Sequence, residues 1–275
     1  MPMPDPTTDP AGDSARPRLS LVDTHVHLDD SRFDPDRDEV IANGRRGGVD
    51  ALIVPGIDAA SWPRIQALCT SHAGLYPAYG LHPLFLAQHR PHHLDELAGW
   101  LDGSAAVAVG EIGLDFFVPG LDPAAQRHYF AAQLALAREL DLPVIVHARR
   151  AVEEVILSLR RLPGLRGVVH SFAGSEQQAR RLWDIGFHLG IGGPVTYERA
   201  RRLRHLVGTM PLDRLLLETD APDQPDAMHR GQRNEPARLD VVLRCIAGLR
   251  DESAATIAAA TSANARRLFG LDHPH

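Results

Sequence analysis

Eight short apolar runs alternate with longer amphipathic segments along this chain, and the alternation limits the folds that it can adopt. The runs have strand length, and the intervening segments carry apolar residues at helical spacing. Strands that alternate with helices are typical of parallel sheets. The runs are 19–27, 49–55, 75–81, 105–109, 143–146, 167–169, 187–191 and 215–217. The pattern predicts an α/β fold, specifically a (β/α)8 TIM barrel, with a doubly wound open sheet as the alternative.

The length of the chain agrees with one barrel. It has 275 residues, and such barrels typically have about 250. We predict a single domain over residues 19–271, because neither an internal repeat nor a low-complexity linker divides that range. Residues 1–18 are rich in Pro, Asp, Ala and Thr and lack an apolar signal core, which predicts a flexible N-terminal tail.

The composition excludes several classes of function. All 29 basic residues are arginine, so a Schiff-base lysine, a pyridoxal-phosphate enzyme, a P-loop and a carboxylated-lysine metal bridge are excluded. Cys69 and Cys245 lack the spacing of a disulfide framework or zinc site, which predicts a cytoplasmic protein. The net charge of −6 argues against a positively charged coat for nucleic acid but leaves a local basic site open. No apolar run approaches the roughly 18–20 residues of a membrane span, so no membrane contact is predicted.

Side chains of the types that bind metals lie at the carboxyl ends of five of the eight apolar runs. His25 and His27 close the first run, and they are expected to point the same way because side chains alternate along a strand. Barrel enzymes keep their chemistry at the carboxyl ends of the strands, so such residues are expected to converge. The complete set is His25, His27, Glu111, His147, His170 and Asp220.

Six ligands are more than one ion needs, so we predict two divalent ions. Imidazole and carboxylate ligands suit Zn²⁺, Mn²⁺, Fe²⁺ or Ni²⁺ better than Mg²⁺, although the identity stays open. The histidines of the first run and Asp220 are expected to hold one ion, and His147 and His170 the other. Glu111 is placed to bridge them. Two such ions can activate a water, and Asp220 is the best candidate to orient that water or take its proton, so Asp220 and Glu111 are predicted to be catalytic.

Three further residues at the predicted mouth are candidates for substrate binding. His82 ends the third run and is expected to contact the substrate, although it could also be a loop residue. Arg149 follows His147 by two positions and could contact a phosphate if the strand continues; the alternative is a surface arginine at a helix start. Glu218 shares a strand face with Asp220 and is expected to orient a ligand from behind.

Eight motifs stand out along the chain: DTHVHLD at 23–29, GLHP at 80–83, GEIGLD at 110–115, LPVIVHAR at 142–149, VHSFAGS at 169–175, LLETDAP at 216–222, RNEP at 233–236 and NARRLFG at 264–270. Together they resemble the motifs of the TatD family of metal-dependent hydrolases. The resemblance extends in order over residues 19–271 and is nearest to an uncharacterised bacterial branch. It implies a TIM barrel, the same six ligands around two metals, and hydrolase activity that is often 3′–5′ deoxyribonuclease activity. Val26, Ser171 and Ala173 depart from the commonest residues, but none is a proposed ligand.

Three hypotheses of function follow. The first is a two-metal phosphodiesterase that acts on single-stranded DNA or on DNA 3′ ends and is a monomer or weak oligomer. The second is hydrolysis of a C–N or ester bond, as in cyclic amidohydrolases or a D-aminoacyl-tRNA deacylase. A glutamate, Glu111, at the bridging position favours the first. The third is an inactive metal-binding scaffold, which the complete set of ligands disfavours.

Overall fold

The eight predicted strands form one parallel sheet that curls into a barrel. The computed structural model describes residues 19–103 and 105–271, so the predicted tail at 1–18 lies outside the described residues. Each strand pairs with the next one in the chain, which confirms the barrel. An open doubly wound sheet would instead reverse its strand order. The strands are β1 (Leu21–Asp23), β2 (Val49–Pro55), β3 (Leu75–Tyr79), β4 (Ala108–Asp115), β5 (Val144–Arg149), β6 (Gly167–Val169), β7 (His188–Ile191) and β8 (Leu215–Leu217).

The barrel closes just beyond the carboxyl ends of β1 and β8. Val26 and Ala221 form an isolated parallel bridge there. The backbone N–H of Asp220 donates to the carbonyl of His25 at 2.9 Å. Closure therefore brings two predicted ligands together through backbone hydrogen bonds, before any side-chain contact is considered.

Helices cover the outside of the barrel. Local sequence explains several of their ends: Asp122 accepts from the N–H of Ala124 ahead of Pro123, and Ser175 forms a capping box with Gln178. None of the helices within 19–103 and 105–271 has the length and hydrophobicity needed to cross a bilayer. The α-helices in the described part are α1 (Arg37–Arg46), α2 (Trp62–Ser71), α3 (His92–Gly103), α4 (Pro123–Glu139), α5 (Val152–Arg160), α6 (Glu176–Trp183), α7 (Arg201–Thr209), α8 (Leu239–Arg250) and α9 (Ala254–Phe269).

Alternation along the strands separates two buried apolar clusters. Ile53 of β2 and Ile145 of β5 belong to a smaller cluster inside the barrel, whereas the neighbours of each on its strand pack outward against the helices. Leu268 and Phe269 of α9 extend the inner cluster. The barrel interior is thus a packed core, which leaves the carboxyl ends of the strands as the place for chemistry.

Several boundaries differ from those that the sequence predicted. β4 continues through Asp115 and β5 through Arg149, whereas the apolar runs ended at 109 and 146. Residues of both strands pair with each other, and this pairing extends them through polar residues of low strand propensity. The second helix begins at Trp62, and Asp58 lies in the turn that precedes it. Its carboxylate accepts from the N–H of Ser61 at 2.9 Å in the preceding turn.

His188 on β7 predicts a pH dependence of stability. It is only 7% exposed, and burial, with a smaller contribution from Arg214, lowers its pKa from 6.5 to about 4. The unfolded chain takes up this proton near pH 6.5, so the free energy of unfolding should fall as the pH drops from 6.5 towards 4. His188→Leu should reduce the loss of Tm between pH 7 and pH 5 in thermal denaturation. His205→Leu, on the exposed side of α7, is the control. If His188→Leu and His205→Leu lose equal amounts of Tm between pH 7 and pH 5, His188 is not the source of this pH dependence.

Candidate metal centre

The carboxylate of Glu111 lies among five imidazole rings, four of which form two pairs. Glu111 is 2% exposed. Its Oε2 lies 3.2 Å from His25 Nε2 and 3.6 Å from His27 Nε2. Its Oε1 lies 2.7 Å from His170 Nε2 and 3.2 Å from His147 Nδ1. The two oxygens therefore face two separate pairs of histidines, a geometry in which one carboxylate can bridge two cations.

The first group of donor atoms has the spacing of a metal coordination shell. The Nε2 atoms of His25 and His27 are 3.2 Å apart. Asp220 Oδ1 lies 3.6 Å from each of them. Four ligands about 2.0–2.2 Å from a cation would be about 3.3–3.6 Å apart in tetrahedral geometry. The observed separations fit this shell, whereas two facing imidazole nitrogens can share at most one proton between them.

The second group contains one more histidine than the predicted ligands. His147 Nδ1 and His170 Nε2 are 3.3 Å apart, and His82 Nε2 lies 3.0 Å from Glu111 Oε1. Burial lowers the pKa of His82 to about 4 despite the nearby Glu111 carboxylate, so the ring is neutral. Its Nδ1 accepts from the N–H of Leu84 at 3.1 Å, so Nε2 carries the proton and donates to Glu111. The predicted contact between His82 and substrate stays a prediction.

Charges in the centre are strongly coupled. Burial alone would raise the pKa of Glu111, but His82, His170 and His25 lower it well below its usual value. Burial would lower the pKa of His170, yet the adjacent Glu111 carboxylate raises it to about 10. A divalent cation would compete with the imidazolium proton for the same atoms. The donor types and the three-residue groups, whose ligand atoms all lie within 4.8 Å of one another, fit divalent metal ions.

Comparisons with known proteins agree with this geometry. The family model described as TatD related DNase matches residues 22–270. The chain belongs to the TatD family. It is 41% identical over 257 residues to the uncharacterised metal-dependent hydrolase YjjV of Escherichia coli K12, covering 91% of this chain and 98% of YjjV. The crystal structure of YjjV superposes with a TM-score of 0.88 at 40% identity, over 91% of this chain and 98% of that one.

A relative with a named activity is also similar over nearly its whole length. The 3′-5′ ssDNA/RNA exonuclease TatD of Klebsiella pneumoniae is 36% identical over 261 residues, which cover 92% of this chain and 98% of that protein. This chain is therefore a TatD-family metal-dependent hydrolase, and the buried histidine and carboxylate clusters are consistent with a two-metal centre.

Asp115 holds one of the predicted ligands in this TatD-family centre, and the spacing of residues along the sequence did not predict it. Its Oδ2 lies 3.0 Å from His147 Nε2, which leaves His147 Nδ1 to face the centre. A carboxylate behind a metal-binding histidine fixes both the tautomer and the ring orientation. Asp115 is the last residue of the GEIGLD motif. Its role depends on the pairing of β4 with β5, which reaches Asp115, whereas the apolar run that predicted β4 ended at residue 109.

Asp220 is held in a similar way by a residue of its own loop, which in turn contacts the loop after β6. The amide of Gln224 donates to Asp220 Oδ2, and the hydroxyl of Ser171 donates to Gln224 Oε1 at 2.9 Å. Asp23 accepts from both the N–H and the hydroxyl of Thr219, at 2.9 and 2.6 Å. These contacts fix the loop after β8 against the ends of β1 and β6. Gln224 was not predicted, because loop conformation determines the contact and regular spacing does not reveal it.

The remaining predicted substrate residues occupy different positions. Arg149 lines an open cavity of about 990 Å³ above the centre. Glu218 is 1% exposed and lies behind the metal centre. Its Oε1 accepts from the N–H of Ser171 at 2.5 Å and is 4.0 Å from His170 Nδ1. Burial raises the pKa of Glu218 to about 8. This placement favours a role for Glu218 in orienting His170 rather than in contacting substrate directly.

Asp115→Asn tests the support of His147. The asparagine keeps an oxygen for the backbone N–H of Phe117, but its NH₂ group would donate to His147 Nε2 and move the ring proton to Nδ1, where a cation should bind. We expect the affinity for one of two Mn²⁺ or Zn²⁺ ions to fall about 10- to 100-fold, measured by competition with a chromogenic chelator. Asp223→Ala, at an exposed salt bridge on the same mouth, is the control. If Asp115→Asn binds both ions with unchanged affinity, Asp115 does not support His147 as a ligand.

Proposed function

We propose that this TatD-family hydrolase is a two-metal phosphodiesterase, specifically a 3′–5′ exonuclease of single-stranded DNA. The observation that carries the proposal is the Glu111 carboxylate, whose two oxygens face two pairs of histidines beneath an open cavity. A relative named 3′-5′ ssDNA/RNA exonuclease TatD, similar over nearly its full length, supports the same substrate class.

The proposed ligands divide into two groups. His25, His27 and Asp220 would hold one divalent ion, and the two histidines of β5 and β6 the other. Glu111 would hold both ions through separate oxygens. Two ions there would supply an activated water and stabilise the charge that develops on the phosphate oxygens. Their identity among Zn²⁺, Mn²⁺, Mg²⁺, Fe²⁺ and Ni²⁺ is left to experiment.

Asp220 is proposed to take the proton from the attacking water. Its Oδ1 faces the first pair of histidines, and its Oδ2 is held by the amide of Gln224. Burial raises the pKa of Asp220, which favours acceptance of a proton at that carboxylate. The fixed orientation aims the receiving oxygen at the centre rather than at solvent.

Arg149 is proposed to bind a phosphate of the substrate. It is exposed on the cavity wall at the end of β5, two residues beyond His147. Within residues 19–103 and 105–271 no carboxylate forms a salt bridge with it. Its guanidinium donors are therefore available to phosphate oxygens, which pair well with a planar fork of N–H groups.

Two substitutions test the proposed function. His147→Ala and Asp220→Ala should each lower the hydrolysis of a labelled single-stranded oligonucleotide with Mg²⁺, Mn²⁺ or Zn²⁺ by at least about 100-fold, because each removes a ligand or the base. Circular dichroism should show an intact fold. The control is His128→Ala, at an exposed site on α4.

A parallel assay separates this proposal from its rival. Wild-type protein should degrade the oligonucleotide from its 3′ end and leave amides, lactones and D-aminoacyl esters intact. If single-stranded DNA survives with every metal while an amide or ester is cleaved, the phosphodiesterase proposal fails and the C–N or ester hydrolase replaces it.

A further inference from the structure

The mouth of the cavity is electrostatically asymmetric. On the side of β1 and β8, the guanidinium of Arg32 lies 2.8 Å from the carboxylates of both Asp30 and Asp223. Its charge is thus neutralised by two acidic partners. On the side of β4 and β5, Arg149 and Arg150 also line the cavity. Neither has a salt-bridge partner in the part of the chain that the structure describes. Anionic substrate is therefore attracted towards β4 and β5.

An exposed aromatic ring contacts both of these guanidinium groups. Phe117, in the loop after β4, is 44% exposed and lines the same cavity. The Cζ atom of Arg149 lies 3.7 Å from the centre of its ring, and that of Arg150 lies 4.7 Å away. Leaving a large apolar ring open to water is unfavourable, so its exposure beside two cations favours a ligand that is both aromatic and anionic.

Hydrogen bonds fix the backbone that carries this ring relative to the metal centre. Asp115 Oδ1 accepts from the N–H groups of Phe117 and Val118, at 2.8 and 3.1 Å. The other oxygen of Asp115 holds His147. In addition, Asp115 pairs with Arg149 in the β4–β5 ladder. One carboxylate therefore positions both a proposed ligand and the loop backbone that carries the aromatic ring.

We propose that Phe117, Arg149 and Arg150 form a stacking platform for a nucleobase of the single-stranded substrate. This inference rests on the proposed function and adds that the enzyme recognises a base as well as the phosphate. Bases of single strands stack on aromatic rings and on guanidinium planes, whereas bases within a duplex are not free to do so. The strand then extends from the centre over β4 and β5, away from the Arg32 salt bridges.

Binding to matched oligomers tests the platform. Two oligothymidylates of equal length are compared by fluorescence anisotropy, one complete and one with abasic residues at its 3′ end. Both carry phosphorothioate linkages, which resist hydrolysis. The wild type should bind the complete oligomer about 5- to 150-fold more tightly, the range expected for one stacked base. Phe117→Ala should abolish this preference, and Phe117→Trp should retain it.

A second variant serves as the control for Phe117→Ala, and two outcomes would overturn the platform. Leu157→Ala removes an exposed apolar side chain on α5, outside the cavity lining, and should keep the full preference. If Phe117→Ala weakens both oligomers equally, Phe117 only orients the arginines and the platform is overturned. Hydrolysis of the ordinary phosphodiester oligomers is measured in parallel. Cleavage without a preference for the complete oligomer defeats the platform alone, whereas a preference without cleavage supports the platform and defeats the proposed nuclease.

Discussion

The site depends on one buried carboxylate placed between two pairs of histidines. Glu111 is nearly inaccessible to water, and a charge in such a place is stable only when compensating groups surround it. The histidines supply that compensation, and they lower the pKa of Glu111 well below its usual value although burial opposes this. Each histidine lies on a different loop or strand end from Glu111, so the carboxylate ties the carboxyl ends of several strands to one point.

The barrel makes this convergence possible, and neighbouring polar residues make it specific. Closure between β1 and β8 brings the backbone of His25 to that of Asp220. Asp115 then fixes the ring of His147, and Gln224 fixes the carboxylate of Asp220. These residues contact the proposed ligands from outside and leave their inward atoms directed at the centre. The same Asp115 anchors the loop that carries Phe117, which links the metal centre to the mouth of the cavity.

The alternation of apolar runs predicted the barrel and the convergence of the proposed ligands, because strand periodicity and parallel topology together determine which residues share an edge. The roles of Asp115 and Gln224 were not predictable in this way. Asp115 required β4 to continue through polar residues that strand propensity disfavours, and Gln224 depends on the conformation of a loop. His82 lines the cavity, and its predicted contact with substrate stays a prediction. Its hydrogen bond to Glu111 depends on a turn at Leu84 that no spacing rule reveals.

The number and positions of bound metal ions test the central claim most directly. Crystals soaked with Mn²⁺ or Zn²⁺ would give an anomalous difference map in which each ion is a separate peak. The account predicts two peaks about 3.5–4 Å apart, one beside His25 and His27 and one beside His147 and His170, with Glu111 between them. A single peak, or two peaks of which only one contacts Glu111, would contradict it.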